Sequence, residues 1–344
     1  MNIYEIAKQA GVSPATVSRV INGNPRVGEE NRKRVMAAIE ASGFVPNFFA
    51  RSLNRKKTRM VGILCPVISD INHARQVSLL EKRLRRDGFD ILLCSLEQNY
   101  DDKRAYLELL LQKQVDAVFV IGLKQDESRQ AGLFAEIASQ VPVIIVNGRL
   151  DVPGVCCTAA GEFQMASELV CRLHRQGCRR IVYLYDSETY SGCRKRSGYE
   201  AGMGSCGLDT EGRIFQVDEH VCMEDAEAAA RQIRRFLEET GRREGALPDA
   251  VLTADDVLAV PAQKVLLSMG RQVPVIGWNN SMYAQMASPA LTSVDIRMDR
   301  MAEAAADLLR QALEGNRETA FVEIEPVLAV RESFVPEAPA DGSA

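Results

Sequence analysis

Apolar residues near the amino terminus recur on helical spacing. Ile3, Ile6, Ala7 and Ala10 fall at i, i+3, i+4 and i+7, one face of a short helix that Gly11 ends. Val12-Ser13-Pro14 opens a second helix, with Ser13 as N-cap and Pro14 at the first helical position. Val17, Val20 and Ile21 share its inner face. At ~100° per residue the opposite face carries Ala15, Ser18, Arg19 and Asn22, with Thr16 on the flank. Asn22-Gly23-Asn24-Pro25 ends it. A third helix is predicted from about Glu29 to Ser42, with Val35, Ala38 and Ile39 inward and Gly43 as its stop.

From Met60 the pattern changes. Short apolar runs at 61–66, 90–95, 116–122 and 142–147 alternate with helix-like stretches at 75–87, 101–113 and 128–139, and the runs resume at 180–185, 250–254 and 274–278. Strands alternating with helices predict parallel sheets covered by helices. The chain returns near 289–295 and again near 321–326. The expectation is two lobes and a cleft, the first lobe from 59–158 with 291–318 and the second from 159–290 with 319–334. Ligands in open parallel sheets sit at the carboxyl ends of the strands. Leu79, Leu80 and Leu84 form a stripe read either as a dimer contact or as core.

Charge sharpens the division. Residues 1–60 hold eleven Lys/Arg against four Glu, a balance of +7 in a chain whose total is −4, so the remainder carries −11. A basic end on an acidic body suits a polyanion-binding head. Two short helices joined by a tight glycine turn and braced by a third describe a helix-turn-helix, which places its second helix in the DNA major groove. A small three-helix bundle without a nucleic-acid partner is the alternative, and the charge argues against it.

Other classes find little support. No run of eighteen apolar residues exists, and the first residues lack a basic segment followed by an apolar stretch, so no membrane partner and a cytoplasmic, nucleoid-associated location are expected. Nine cysteines without a C-x-x-C pair read as free thiols. The three histidines are scattered, and no metal site or cofactor is expected. Gly202-Met203-Gly204-Ser205-Cys206-Gly207 satisfies G-x-G-x-x-G but follows a helix rather than a strand, and reads as a helix stop. No phosphate loop, H-E-x-x-H or G-x-S-x-G is present, so an enzyme is not expected and no catalytic residue is assigned.

The segment IYEIAKQAGVSPATVSRVINGNPRVGEENRKRVMAAIEASGFVPN resembles the headpiece of the LacI/GalR family of transcription regulators, and the likeness continues through ARSL, TRMVGILCPVIS, DAVFVIG, PVIIVNGRL, RRIVYLY, ADDVLAV, VIGW, PALTSVD and EPVLAVRES, about residues 1–334. The resemblance implies an α/β chain with an N-terminal helix-turn-helix headpiece (1–46), a hinge helix and linker (47–58), a periplasmic-binding-protein-like body of two parallel-sheet lobes (59–334) and a disordered tail (335–344). It implies a repressor that binds a palindromic double-stranded DNA operator as a homodimer. Pro14, Ala15, Thr16 and Arg19 then fall at base-contacting positions beside Asn22. Arg51 and Leu53 fall in the hinge, with Leu53 as a minor-groove wedge.

In the cleft the resemblance implies a small-molecule effector, a saccharide or sugar derivative. Asp256 matches the Asp of the family's N-D-x-M-A motif and Asp255 replaces its Asn. Asn279, after Trp278, stands where relatives have a sugar-binding Asp. Lys195, flanked by Arg194 and Arg196, stands at the family's effector-binding Arg. Asn72 and His73 replace an aromatic residue, and the family's V-D-N loop has become Cys157-Thr158-Ala159. Plainer readings stand beside these: an acidic pair at a helix start for Asp255 and Asp256, a solvated loop histidine for His73, ordinary core for Trp278. A regulator answering to a protein corepressor, or a solute-binding protein without regulatory role, are the alternative functions.

Overall fold

The computed structural model describes residues 2–21, 24, 26–43, 58–96, 103–124, 131–218 and 225–336, which divide into two units at Arg59 and Met60. In the first unit, α1 (Ile3–Ala10) starts at Asn2. The Asn2 carboxamide oxygen accepts from the amides of Tyr4 and Glu5 at 3.0 and 3.1 Å, and the Glu5 carboxylate accepts from the Asn2 amide at 2.9 Å, a reciprocal capping box. Gly11, at φ 63°, ends α1 in the left-handed region that glycine enters freely. The Ser13 hydroxyl accepts from the Thr16 amide at 3.1 Å and starts α2 (Pro14–Ile21). With α3 (Glu29–Ser42), these helices bury Ile6, Ala7, Ala10, Val17, Val20, Val35 and Ala38, while Ile3, Ile21 and Ile39 pack at the rim.

The turn between α1 and α2 is held from α3. Arg34 donates Nε to the Ala10 carbonyl at 3.0 Å and an Nη to the Gly11 carbonyl at 2.8 Å, and Arg32 reaches the Asn24 carbonyl at 2.9 Å. Two of the eleven cations of the basic end therefore serve the fold by satisfying carbonyls at the end of α1 and in the connections that follow α1 and α2.

The second unit contains two six-stranded sheets. The first has the order β11-β5-β4-β3-β1-β2, from β1 (Met60–Cys65), β2 (Asp90–Ser95), β3 (Ala117–Ile121), β4 (Val143–Val146), β5 (Val155–Ala160) and β11 (Phe321–Ile324). The second has the order β12-β10-β9-β8-β6-β7, from β6 (Ile181–Tyr185), β7 (Ile214–Gln216), β8 (Ala250–Thr253), β9 (Val275–Trp278), β10 (Thr292–Asp295) and β12 (Val327–Ala329). All pairings are parallel except β10 with β12. Near-continuous apolar runs such as 117–121 and 181–185 are what sheets buried on both faces require.

Nine helices accompany the strands among the described residues: α4 (Ile71–Arg86), α5 (Lys103–Gln112), α6 (Ala131–Gln140), α7 (Glu162–Arg175), α8 (Tyr190–Ser205), α9 (Ala226–Glu244), α10 (Asp256–Ser268), α11 (Met282–Met286) and α12 (Met298–Leu313). The Leu80 and Leu84 side chains are fully buried where α4 packs on α12, so the leucine stripe is core. The G-x-G-x-x-G segment closes α8, with Gly207 at φ 68° just beyond it.

The lobe boundaries expected from sequence need correction. Residues 292–295 pair with β9, Thr292 beside Ile276, and so extend the second sheet rather than the first. The chain crosses only after them, packs α12 against α4, β4 and β5, and adds β11 to the first sheet with Phe321 beside Cys157. It then crosses back and lays β12 on β10. The apolar runs were visible, but which sheet edge each one meets is a property of pairing. Residues 155–160, expected to include a loop, form the fully buried strand β5, whose small Cys, Thr and Ala side chains hide its strand character. The hinge and linker at 47–57, with Arg51 and Leu53, and residues 337–344 of the expected tail lie outside the described residues, as does Asn22.

Candidate functional site

The loops after β1, β3, β4, β6, β8 and β9 converge on a cavity of about 130 Å³ between the two sheets. It lies at the carboxyl ends of both sets of parallel strands, where open α/β sheets bind ligands. Asn72, His73, Gln76, Lys103 and Asn147 line it from the first lobe, and Asp186, Ser191, Lys195, Asp255 and Asn279 from the second.

Asp255 is the centre of its polar wall. One carboxylate oxygen caps α10, accepting from the Val257 amide at 2.9 Å. The other accepts from the Asn72 carboxamide at 2.7 Å and the Asn279 carboxamide at 2.5 Å. The first of these bonds spans the two lobes, as does the Tyr190 amide donating to the Leu123 carbonyl at 2.8 Å. Burial, then the neighbouring carboxylates of Asp256 and Asp70, push the Asp255 carboxyl well above its usual range. One side chain thus both caps α10 and lines the cavity.

Lys195 enters from α8. Its Nζ donates to the Ala254 carbonyl at 2.8 Å, stands 3.6 Å from Glu162 Oε1, and lies 5.4 Å from the centroid of the Trp278 ring. Glu162 Oε1 also accepts from the Ser191 hydroxyl at 2.7 Å. The flanking arginines point elsewhere: Arg194 lies over the Phe163 ring and Arg196 pairs with Glu188. At this position the chain therefore presents a lysine to the cavity.

His73 lies in the first turn of α4 rather than in a loop. The Asp70 carboxylate caps that turn through the amides of Asn72 and His73 at 2.9 and 2.8 Å, and His73 Nδ1 donates to the Val67 carbonyl at 3.2 Å. Trp278 is wholly buried and does not line the cavity; it is core beneath Lys195. Asp256 does not line it either. Its Oδ2 accepts from the Ser281 amide at 2.7 Å, and Gly277 is required beside it because a Cβ there would meet Asp256 Oδ1 at 2.1 Å. Asp256 and Trp278 therefore support the wall rather than form it.

Sequence reading missed Gln76, Lys103, Asn147, Asp186, Glu162 and Ser191. The signal available was position: Asn147 and Asp186 each directly follow a strand. Gln76 Oε1 and Asn147 Oδ1 are buried and have no hydrogen-bond partner among the described residues. Buried acceptors of this kind are rare unless something else meets them. Among the described residues no group of three or more His, Cys, Asp or Glu could hold a metal ion.

On the headpiece, α2 turns Val17 and Val20 inward and leaves Ala15 and Arg19 exposed, with Pro14 and Thr16 half-buried. The Thr16 hydroxyl lies 2.9 Å from that of Ser13. The exposed face is the one expected from helical spacing.

Comparison with known proteins agrees with this layout. Residues 2–47 match the bacterial regulatory proteins of the lacI family, and residues 170–334 match the periplasmic binding protein-like domain. An HTH-type transcriptional regulator of Lachnoclostridium phytofermentans is 35% identical over 322 residues, covering 92% of this chain and 94% of the relative. The structure of the transcriptional regulator CelR–cellobiose complex is 26% identical, with a TM-score of 0.69, covering 97% of this chain and 100% of that one. The lac repressor dimer bound to operator and the anti-inducer ONPF shares the fold, with a TM-score of 0.84 at 19% identity over 97% of this chain and 98% of that one. A basic helix-turn-helix joined to a two-lobed body with a polar cleft, matched along nearly its whole length by such regulators, places the chain in the lacI family: it is a DNA-binding regulator of transcription with an effector-binding domain, not an enzyme.

Proposed function

We propose that the chain represses transcription as a dimer on a palindromic operator and that a small hydroxylated molecule, a sugar or sugar derivative, controls it from the interlobe cavity. On the DNA side, Arg19 takes a guanine edge in bidentate fashion, Thr16 a base or phosphate, and Ala15 a thymine methyl, with Pro14 and Asn22 beside them. Arg51 and Leu53 act at the operator centre, Leu53 as the wedge. Two headpieces on a two-fold axis match a palindromic site. Binding in the cleft alters the angle between lobes and so couples ligand to operator.

The observation that carries the effector reading is the cavity wall. It offers carboxamides at Asn72 and Asn279, unpartnered oxygens at Gln76 and Asn147, and Lys195, each suited to a ligand hydroxyl that needs a partner once buried. A volume of about 130 Å³ is small beside the ~300–1,000 Å³ of sites for larger ligands. A monosaccharide-sized ligand is the best match to this volume. The cellobiose in one relative supports the chemical class.

The test is a melting-temperature screen of the full chain against sugars, sugar acids and sugar phosphates. A ligand at about 100 times its Kd adds ~2.7 kcal/mol, a shift of several degrees. A hit that Asn279→Ala abolishes supports the reading. Silence across the panel overturns it and favours the protein corepressor. On DNA, Arg19→Ala is expected to lose about 1–3 kcal/mol of specific binding; undiminished discrimination between operator and random duplex would remove α2 from the major groove.

A further inference from the structure

We propose that Cys171 and Cys206 form a redox-modification site, a thiol pair that hydroperoxides convert to an intrachain disulfide joining α7 to the end of α8. The site is built by glycine. A Cβ at Gly198 would stand 2.3 Å from the Phe163 carbonyl oxygen, and one at Gly202 would stand 2.8 Å from the Ser167 carbonyl oxygen. The two contacts advance by one helical turn along both helices in the same direction, so α7 and α8 run parallel in close backbone contact. One turn further on, the same stripe reaches Cys171 and Cys206. Their sulfurs lie 3.5 Å apart, the same 35 positions apart in sequence as the two glycine contacts. Close backbone approach is what a disulfide needs, since bridged Cα atoms lie about 4.4–6.8 Å apart.

Both thiols are partly exposed, so an oxidant reaches them without unfolding. Among the described residues no other two sulfurs hydrogen-bond to each other. Cys65 and Cys157 are buried in strands, where burial pushes their thiols up to about 12 and about 11. Burial and the carboxylate of Glu188, 3.1 Å away, push Cys193 up to about 12. In the pair, Cys206 donates its S–H to the Cys171 sulfur. The Ser205 hydroxyl donates to the Gly202 carbonyl at 2.9 Å and lies 3.5 Å from the Cys171 sulfur. Burial and the Cys171 sulfur raise the Cys206 thiol, which stands in direct contact with the sulfur it would join.

The chemistry balances with one peroxide. The Cys171 thiolate attacks a peroxide oxygen, an S–O bond forms, the O–O bond breaks, and the leaving hydroxide takes a proton to become water. The Cys206 sulfur then attacks the sulfenic sulfur. The S–S bond forms, the S–O bond breaks, and hydroxide leaves as water with the Cys206 proton. Two thiols are oxidised by two electrons and the peroxide is reduced. The first two turns of these same helices carry Glu162, Ser191 and Lys195, so the bridge pins the far ends of the two elements that hold Lys195 at the cavity.

The experiment exposes the full-length, reduced protein to a slight excess of hydrogen peroxide, alkylates the remaining thiols, and maps peptides by mass. The expected result is a chain lighter by two hydrogens. The peptides holding Cys171 and Cys206 are joined, at more than tenfold the level of any other cysteine pair, and dithiothreitol releases them. Cys171→Ser and Cys206→Ser each abolish the link, and in Cys206→Ser dimedone labels Cys171. Recovery of both residues as separately alkylated thiols, after an exposure that oxidises free glutathione, would overturn the proposal. So would linkage of either residue to a different cysteine. The wild-type map decides the matter even where a variant folds poorly.

Discussion

The headpiece and the body solve the same problem, presenting a few polar groups in fixed positions, over very different stretches of chain. In the headpiece, Arg34 holds a turn only 23 residues away, and one face of one eight-residue helix carries the exposed side chains. In the body, the bond from Asn72 to Asp255 joins residues 183 positions apart, and six strand ends contribute to one wall. A site made by local periodicity can be built from short-range contacts. A site made by convergence depends on every packing contact that sets where the strand ends arrive.

Three experiments press on that contrast, in descending order of effect. Gly198→Ala places a methyl 2.3 Å from the Phe163 carbonyl oxygen and 2.9 Å from the Ala166 Cβ. Overpacking costs about 1–3 kcal/mol, and the ~1 kcal/mol that alanine regains over glycine in a helix does not offset the upper range. A loss of about 2 kcal/mol in urea unfolding of the body is expected, with amide exchange in α1 and α2 unchanged. Parental stability would show that α7 and α8 do not need their close approach.

Arg34→Met removes two hydrogen bonds to the turn carbonyls of Ala10 and Gly11. Water replaces part of what is lost at these half-exposed groups, so about 1 kcal/mol is expected. The loss belongs to the headpiece alone, read as faster exchange of the α1 and α2 amides at an unchanged melting temperature of the body. A change in the body instead would mean that the headpiece is not a local unit.

The third effect is spread over pH. The folded Asp255 carboxyl lies above its unfolded value of about 3.9. Its protonated form favours the folded state, so its contribution is present below that value and is lost as pH rises toward the raised one. In Asp255→Asn this dependence is absent. The parent should therefore lose melting temperature relative to the variant as pH rises from 4 to 8; parallel curves would mean that Asp255 is an ordinary ionised cap.

These contrasts also explain what could be read from the amino acids. The headpiece core was legible almost residue by residue, because helical spacing is a local property and Val17 and Val20 leave Ala15 and Arg19 outside by geometry alone. Strands with large β-branched residues, such as 143–146, were legible for the same reason. Strand β5 was not, since small side chains carry little strand signal. The cavity was half legible. Asn72, His73, Lys195, Asp255 and Asn279 line it, while Asp256 and Trp278 sit one layer behind. Neighbours in sequence such as Asp255 and Asp256 point to different places once a helix begins between them, and no spacing rule shows which one faces the cavity. Gln76 and Asn147 escaped notice because their role depends on the sheet that brings them together.

The crossing of the chain between lobes has a consequence for synthesis. β1 is among the first parts of the body to leave the ribosome, yet its sheet lacks β11 until residue 324 has been made. At ~5–20 residues per second, synthesis from the end of β5 at residue 160 to the end of β11 at residue 324 takes about 8–33 s, during which an edge of β5 stays uncovered. The headpiece has everything it needs within the first 43 residues. The lobe begun first is therefore completed only after the strands β6 to β10 of its neighbour have been made, and a nascent chain stalled before Phe321 would carry a finished helix-turn-helix on a body still open at that edge.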